Sequence, residues 1–179
     1  MNTTRGRDTT RGRSVRRTVF GLLVIGALVL AAVAWPTLSA QVRAANWPEE
    51  APQGPDHITP RMAAVRDAVV KEFGPRGLRG APGCYREDGG IAGGGEHPLG
   101  RACDFMLMPA GHKVAGKPEA LGDDIVAWVR DHADEYGIWY VIFEQHIWSS
   151  RLPQQGWKLM EDRGSITQNH FDHVHISVY

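Results

Sequence analysis

Hydrophobic and polar positions alternate with three different rhythms along the chain. Over ITPRMAAVRDAVVKEFGP the apolar residues Met62, Val65, Val69 and Phe73 recur at helical spacing, with a Thr59-Pro60 start and a Gly74-Pro75 stop. This predicts an amphipathic helix. A second helix is predicted over PEALGDDIVAWVRDHADEYG, where Leu121, Ile125, Trp128 and Val129 form the stripe and Gly137 ends it. Strands are predicted over CDFMLM, IWYVIFEQ and the final HVHISVY, which are rich in β-branched and aromatic residues, while EDGGIAGGGEHPLG reads as loop. The order helix, strand, helix, strands predicts an α+β fold with a small, mostly antiparallel sheet and flanking helices.

The third rhythm is an uncharged stretch, Thr18 to Val42, that comes after six arginines between Arg5 and Arg17. A basic tail (1–17) leading into such a run (18–42) has the form of a secretory signal or a membrane anchor. The run is just long enough to cross about 30 Å of hydrocarbon. Cleavage sites of small residues lie after Ala40 and Ala44, so both readings stay open. Either one exports the remainder of the chain, through the membrane if the segment stays uncleaved. Residues 43–57, dense in proline, glycine and acid, read as a linker, and the folded domain is expected over 58–179.

In composition the 179-residue chain is an ordinary globular protein, 42 % hydrophobic and 22 % charged, with a formal charge of zero. Setting aside the N-terminal arginines leaves an excess of acid, which argues against nucleic-acid binding. The domain is expected to be a monomer.

Candidate chemistry gathers at two places. In the terminal strand His173 and His175 share one face, a pattern open to a metal site, a catalytic pair or solvated surface. In GGGEHPLGRACDFML, Asp104 lies inside an apolar strand with Ala102 and Met106 on its face. A buried carboxylate needs a positive partner, and no Lys or Arg flanks it on that face. A divalent cation would serve. His97, on the glycine-rich loop, and one terminal histidine would complete two imidazoles and a carboxylate, leaving the fourth position of a zinc ion for water.

His97-Pro98-Leu99-Gly100-Arg101-Ala102-Cys103-Asp104 together with His173-Val174-His175 resembles the zinc peptidases that include D-alanyl-D-alanine carboxypeptidases, lysostaphin-like endopeptidases and the hedgehog fold. GCYRE, YVIFEQHIW and NHFDHVHIS resemble an actinobacterial extracytoplasmic branch of that group. The resemblance implies that His97, Asp104 and His175 ligate Zn2+, that His173 is catalytic, and that Arg86 binds a carboxylate of the substrate. It further implies a hedgehog-like sheet and cleavage of peptide bonds in peptidoglycan stem peptides or crosslinks. An alternative from another class is a wall-binding module with a structural zinc and no hydrolysis.

Cys103 departs from the group's pattern, and Cys84 is its obvious partner in an exported protein. A disulfide closing this loop would add about 3 kcal/mol, two free thiols being the alternative. Cys84 and Arg86 have the same parity, so a regular strand would turn Arg86 from the zinc if Cys84 faced Cys103; a bend near Tyr85 is then required. Glu144, His146 and Trp148 alternate on one predicted strand face and suit cleft lining or plain packing. Asp172 and His170 could orient an imidazole or lie on the surface. His57, His112 and His132 receive no role, and the glycines before His97 read as a flexible arm at the cleft edge.

Overall fold

The computed structural model describes residues 47–88 and 95–179. The basic tail, the apolar run, the first part of the linker and most of the glycine arm lie outside these residues. Among the described residues no helix is long and apolar enough to cross a membrane.

Helix α1 spans Pro60–Phe73, with Met62, Val65, Val69 and Phe73 buried. It starts where the sequence signals predict, the Thr59 hydroxyl accepting from Met62 N at 3.2 Å and Pro60 preset for the first turn. Helix α2 covers Lys117–Asp131, Glu119 accepting from Gly116 N at 3.2 Å. The predicted second helix is interrupted at His132; a short α3, Ala133–Tyr136, comes next and stops at Gly137, whose φ of 62° suits a residue without Cβ.

The five strands are β1 (Ala102–Met106), β2 (Ile138–Phe143), β3 (His146–Ser149), β4 (Lys158–Leu159) and β5 (His173–Val178). They form one sheet in the order β1-β5-β2-β3-β4, antiparallel throughout. The α+β class and the antiparallel sheet are as expected. The predicted strand over IWYVIFEQ ends two residues early, because Glu144 and Gln145 form the hairpin turn with φ of 46° and 62°. Glu144 therefore does not alternate with His146 on a strand.

Both main helices cover one face of the sheet. There Cys103, Phe105, Val141, Phe143, Val174 and Ile176 join the helix stripes in a single core. The contact is close at Gly122 of α2, where a Cβ would collide with the Phe143 ring. A register shift between Ile138 and Tyr140 lets Ile138 share the core with Val141.

The described part of the expected linker, 47–57, packs on the domain instead of trailing from it. The Arg61 guanidinium lies 4.9 Å from the Trp47 ring centroid, pairs with Glu50 at 3.1 Å and bonds the Pro48 and Tyr179 carbonyls. Proline and glycine set the local turns here, but one tryptophan and one buried arginine decide where the segment lies.

Candidate metal centre

The uncovered face of the sheet carries the site. On β5 the alternation that sends Val174 and Ile176 into the core sends His173, His175 and Ser177 the other way, so every residue of the strand is buried. Register then sets the partners: Asp104 of β1 stands directly opposite His175, and Ile142 of β2 flanks it on the far side. His97 arrives from the turn before β1, closed by Gly100 N to His97 O and Arg101 N to Glu96 O, both 3.0 Å.

Three donor atoms meet. His97 Nε2 is 3.3 Å from Asp104 Oδ1 and 3.3 Å from His175 Nδ1, and His175 Nδ1 is 2.8 Å from Asp104 Oδ1. All three residues are buried, and among the described residues they form the one cluster of ligand-type side chains close enough to share a metal ion. The two separations from His97 suit zinc, since tetrahedral donors about 2.1 Å from an ion stand about 3.4 Å apart, while His175 and Asp104 stand closer, at hydrogen-bond distance. The outer ring nitrogens are engaged elsewhere. His97 Nδ1 donates to the Cys84 carbonyl, and His175 Nε2 lies 2.9 Å from Ser177 Oγ, which leaves the inner nitrogens free to bind a cation.

His173 stands beside the cluster without joining it, Nε2 3.5 Å from Asp104 Oδ1. Its Nδ1 is 2.6 Å from Asp172 Oδ1, and Asp172 is itself held by Thr167 Oγ1 at 2.5 Å and Gly111 N at 2.7 Å. Asp172 thus orients the His173 ring. His170 lies against both neighbours, 4.8 Å from the His173 ring and 5.4 Å from the His175 ring, with a buried Nδ1 that has no hydrogen-bond partner.

The charges are strongly coupled. Burial alone would raise the Asp104 carboxyl, but hydrogen bonds from His173, His175 and His97 hold it well below the usual carboxylate range. Asp172 falls to about 2, because bonds from His173, Thr167 and Gly111 outweigh its burial. For His173, burial would lower the imidazole; Asp104 and Asp172 overcome it and raise it to about 9. His175 is lowered by burial, against the pull of Asp104. Burial also takes His170 down to about 2, aided by the charges of His175 and His173. That imidazole is neutral.

Arg86 overturns one expectation. The sequence offered no cation beside Asp104, yet Arg86 Nη1 lies 2.9 Å from Asp104 Oδ2 with 40 % of its side chain exposed. The Cys84–Cys103 disulfide is also formed. Both fit because only Gly83 pairs with Asp104; residues 84–86 leave the strand path, so parity does not bind them.

The site opens into a cleft of about 450 Å³. Beyond the predicted residues it is lined by Tyr140, Ile142, Ile147, Met160, Arg163 and His170, among others. His146 is half-buried and stacked on Trp157, and Trp148 packs in the core, so neither lines the cleft. Tyr140 and Ile142 carry an alternation that could have marked them, had the shift near Ile138 been legible. No periodic signal points to Arg163.

A family model described as VldE, C-terminal domain, matches residues 54–171. The chain belongs to that family. The VldE C-terminal match includes Arg86, His97, Asp104 and His170 and ends before His173 and His175. An uncharacterized secreted protein of Arthroderma benhamiae is 39 % identical over 90 residues, which cover 42 % of this chain and 37 % of the relative. The match thus spans little more than a third of that protein. No solved structure matches the chain.

Proposed function

We propose that the domain is a zinc-dependent peptidase acting outside the cytoplasm on peptidoglycan stem peptides or crosslinks, of D,D-carboxypeptidase or endopeptidase type. The observation that carries this reading is the meeting of His97 Nε2, Asp104 Oδ1 and His175 Nδ1 at the floor of an open cleft, with a fourth imidazole beside them. These three side chains would hold the ion, and no fourth ligand-type residue closes the cluster among the described residues. When bound, zinc supplies a Lewis acid that polarises a carbonyl and acidifies water.

The remaining work belongs to the chain. His173, fixed at Nδ1 by Asp172, sets Nε2 3.5 Å from Asp104 Oδ1, where a proton can be exchanged with water or with the amine released when an amide C–N bond breaks. Arg86 keeps one N–H on Asp104 and offers the rest of its fork to a substrate carboxylate. The secreted character of the fungal relative supports a place outside the cytoplasm for this chain as well. The resemblance of the His97–Asp104 and His173–His175 blocks to the zinc peptidases supports the reaction class.

The test is incubation of the zinc-loaded full chain with purified wall fragments, with and without chelator, products being identified by mass. Release of D-alanine, cleavage within stem peptides or opening of crosslinks, suppressed by chelator, is expected. Intact fragments in the zinc-loaded sample would replace the peptidase with a wall-binding module.

A further inference from the structure

We propose that Arg163 makes the cleft selective for a peptide ligand with a second carboxylate, carried on a short aliphatic stem by the residue preceding the bond placed at the triad. This rests on the peptidase reading in its endopeptidase form and narrows it to a bond that follows an acidic residue.

Charges that line the cleft are mostly matched in place. Arg86 is met by Asp104 at 2.9 Å, and Glu96 by Arg101 at 2.7 Å. Asp88 is exposed. Arg163 is different: it is half-buried, and its guanidinium makes no ion pair among the described residues. The neighbouring Asp162 is turned to other work, its Oδ1 accepting from Gly164 N at 2.8 Å and Asn169 Nδ2 at 2.7 Å. The same Asn169, itself buried, accepts from Arg163 N at 2.8 Å through Oδ1. The loop is therefore braced where Arg163 leaves it. Burial raises the Tyr140 phenol, and Arg163 is near enough for its charge to oppose that rise.

A half-buried cation without a counter-ion is stabilised by any anion that reaches it, and the guanidinium fork fits a carboxylate in two bonds. The cleft that holds both the triad and Arg163 is also lined by Tyr140, Ile142, Ile147 and Met160. That apolar wall suits methylene groups. The sheet sets the direction: Arg86 comes from the segment flanking β1 at one edge, and Arg163 from the loop after β4 at the other. If Arg86 takes the carboxylate beyond the scissile bond, Arg163 meets the residue before it.

The probes are N-acetyl-glutamyl-alanine and N-acetyl-glutaminyl-alanine in each combination of L and D residues, both as amides and as reduced-amide isosteres that cannot be hydrolysed. Binding of the isosteres to the zinc-loaded full chain is read by NMR titration, and cleavage of the amides by mass. The best acidic isostere is expected to bind about tenfold or more tighter than its neutral partner, the weight of one charge-assisted hydrogen bond. Arg163→Gln should bring the ratio near one, Arg163→Lys should restore part of it, and Arg163→Glu should invert it. A ratio near one in the wild type, no saturable binding of either isostere, or a ratio unchanged in Arg163→Gln overturns the proposal. A ratio that behaves as expected without hydrolysis of any amide upholds Arg163 as a binding determinant and removes the endopeptidase form of the peptidase reading. Hydrolysis of both amides with no charge preference does the reverse.

Discussion

Strand β5 shows its two faces to two different environments. Val174, Ile176 and Val178 meet the helices and are wholly buried in hydrocarbon. His173, His175 and Ser177, one residue out of phase, meet the cleft and are nearly as buried, yet each is hydrogen-bonded. The first face lowers the free energy of the fold through apolar contact, about 25 cal/mol per Å² removed from water. The second holds polar groups whose desolvation is offset by mutual hydrogen bonds. Strand pairing ties the two together: the β1–β5 register that aligns Cys103 with Ile176 for the core also sets Asp104 against His175 for the site.

The two faces separate most clearly when Asp104 is changed. Asp104→Ala removes the shared carboxylate and should abolish stoichiometric zinc and all metal-dependent cleavage while far-ultraviolet circular dichroism stays unchanged; metal content measured by atomic emission checks it. His173→Ala should keep the metal and lower wall-peptide cleavage about 10²- to 10⁴-fold, the usual weight of a positioned acid or base. On the opposite face, Ile176→Ala should reduce unfolding free energy by about 2–5 kcal/mol in denaturant titrations. It should leave zinc stoichiometry intact wherever the protein is folded.

The smallest effect is in pH. In chelator-treated protein His173 is raised from its ordinary 6.5 to about 9 by Asp104 and Asp172, against its burial. A raised imidazole stabilises the fold fully below its unfolded value and loses that contribution as pH climbs through its folded value. The melting temperature of the metal-free chain should therefore decline between pH 6.5 and 9, and His173→Asn should flatten the decline.

Much of this division was readable from the residues themselves. Thr59-Pro60 and Gly74-Pro75 punctuate α1 by backbone chemistry that does not depend on distant contacts, and its bounds agree with them. The spacing of His97, Asp104, His173 and His175 pointed to groups that the fold does bring together. What the sequence hid depends on departures from regular geometry. Parity reasoning fails for Arg86 because only Gly83 of its segment pairs with β1. Glu144 and Gln145 adopt left-handed backbone without a glycine to announce it, so the hairpin was invisible. The two-residue β4 is too short to carry a period. Arg163 reaches the cleft from an aperiodic loop whose course is set by Asp162 and Asn169.

The proposed chemistry requires that one loop imidazole, one strand carboxylate and one strand imidazole bind a single ion and leave it accessible. Zinc-edge X-ray absorption on the metal-loaded full chain addresses this directly. One zinc per chain is expected, with two imidazole nitrogens, two oxygen donors and no sulfur, and with the loss of one imidazole in His175→Ala but not in His173→Ala. A third imidazole that disappears with His173, or a chain that retains no stoichiometric zinc, would contradict it.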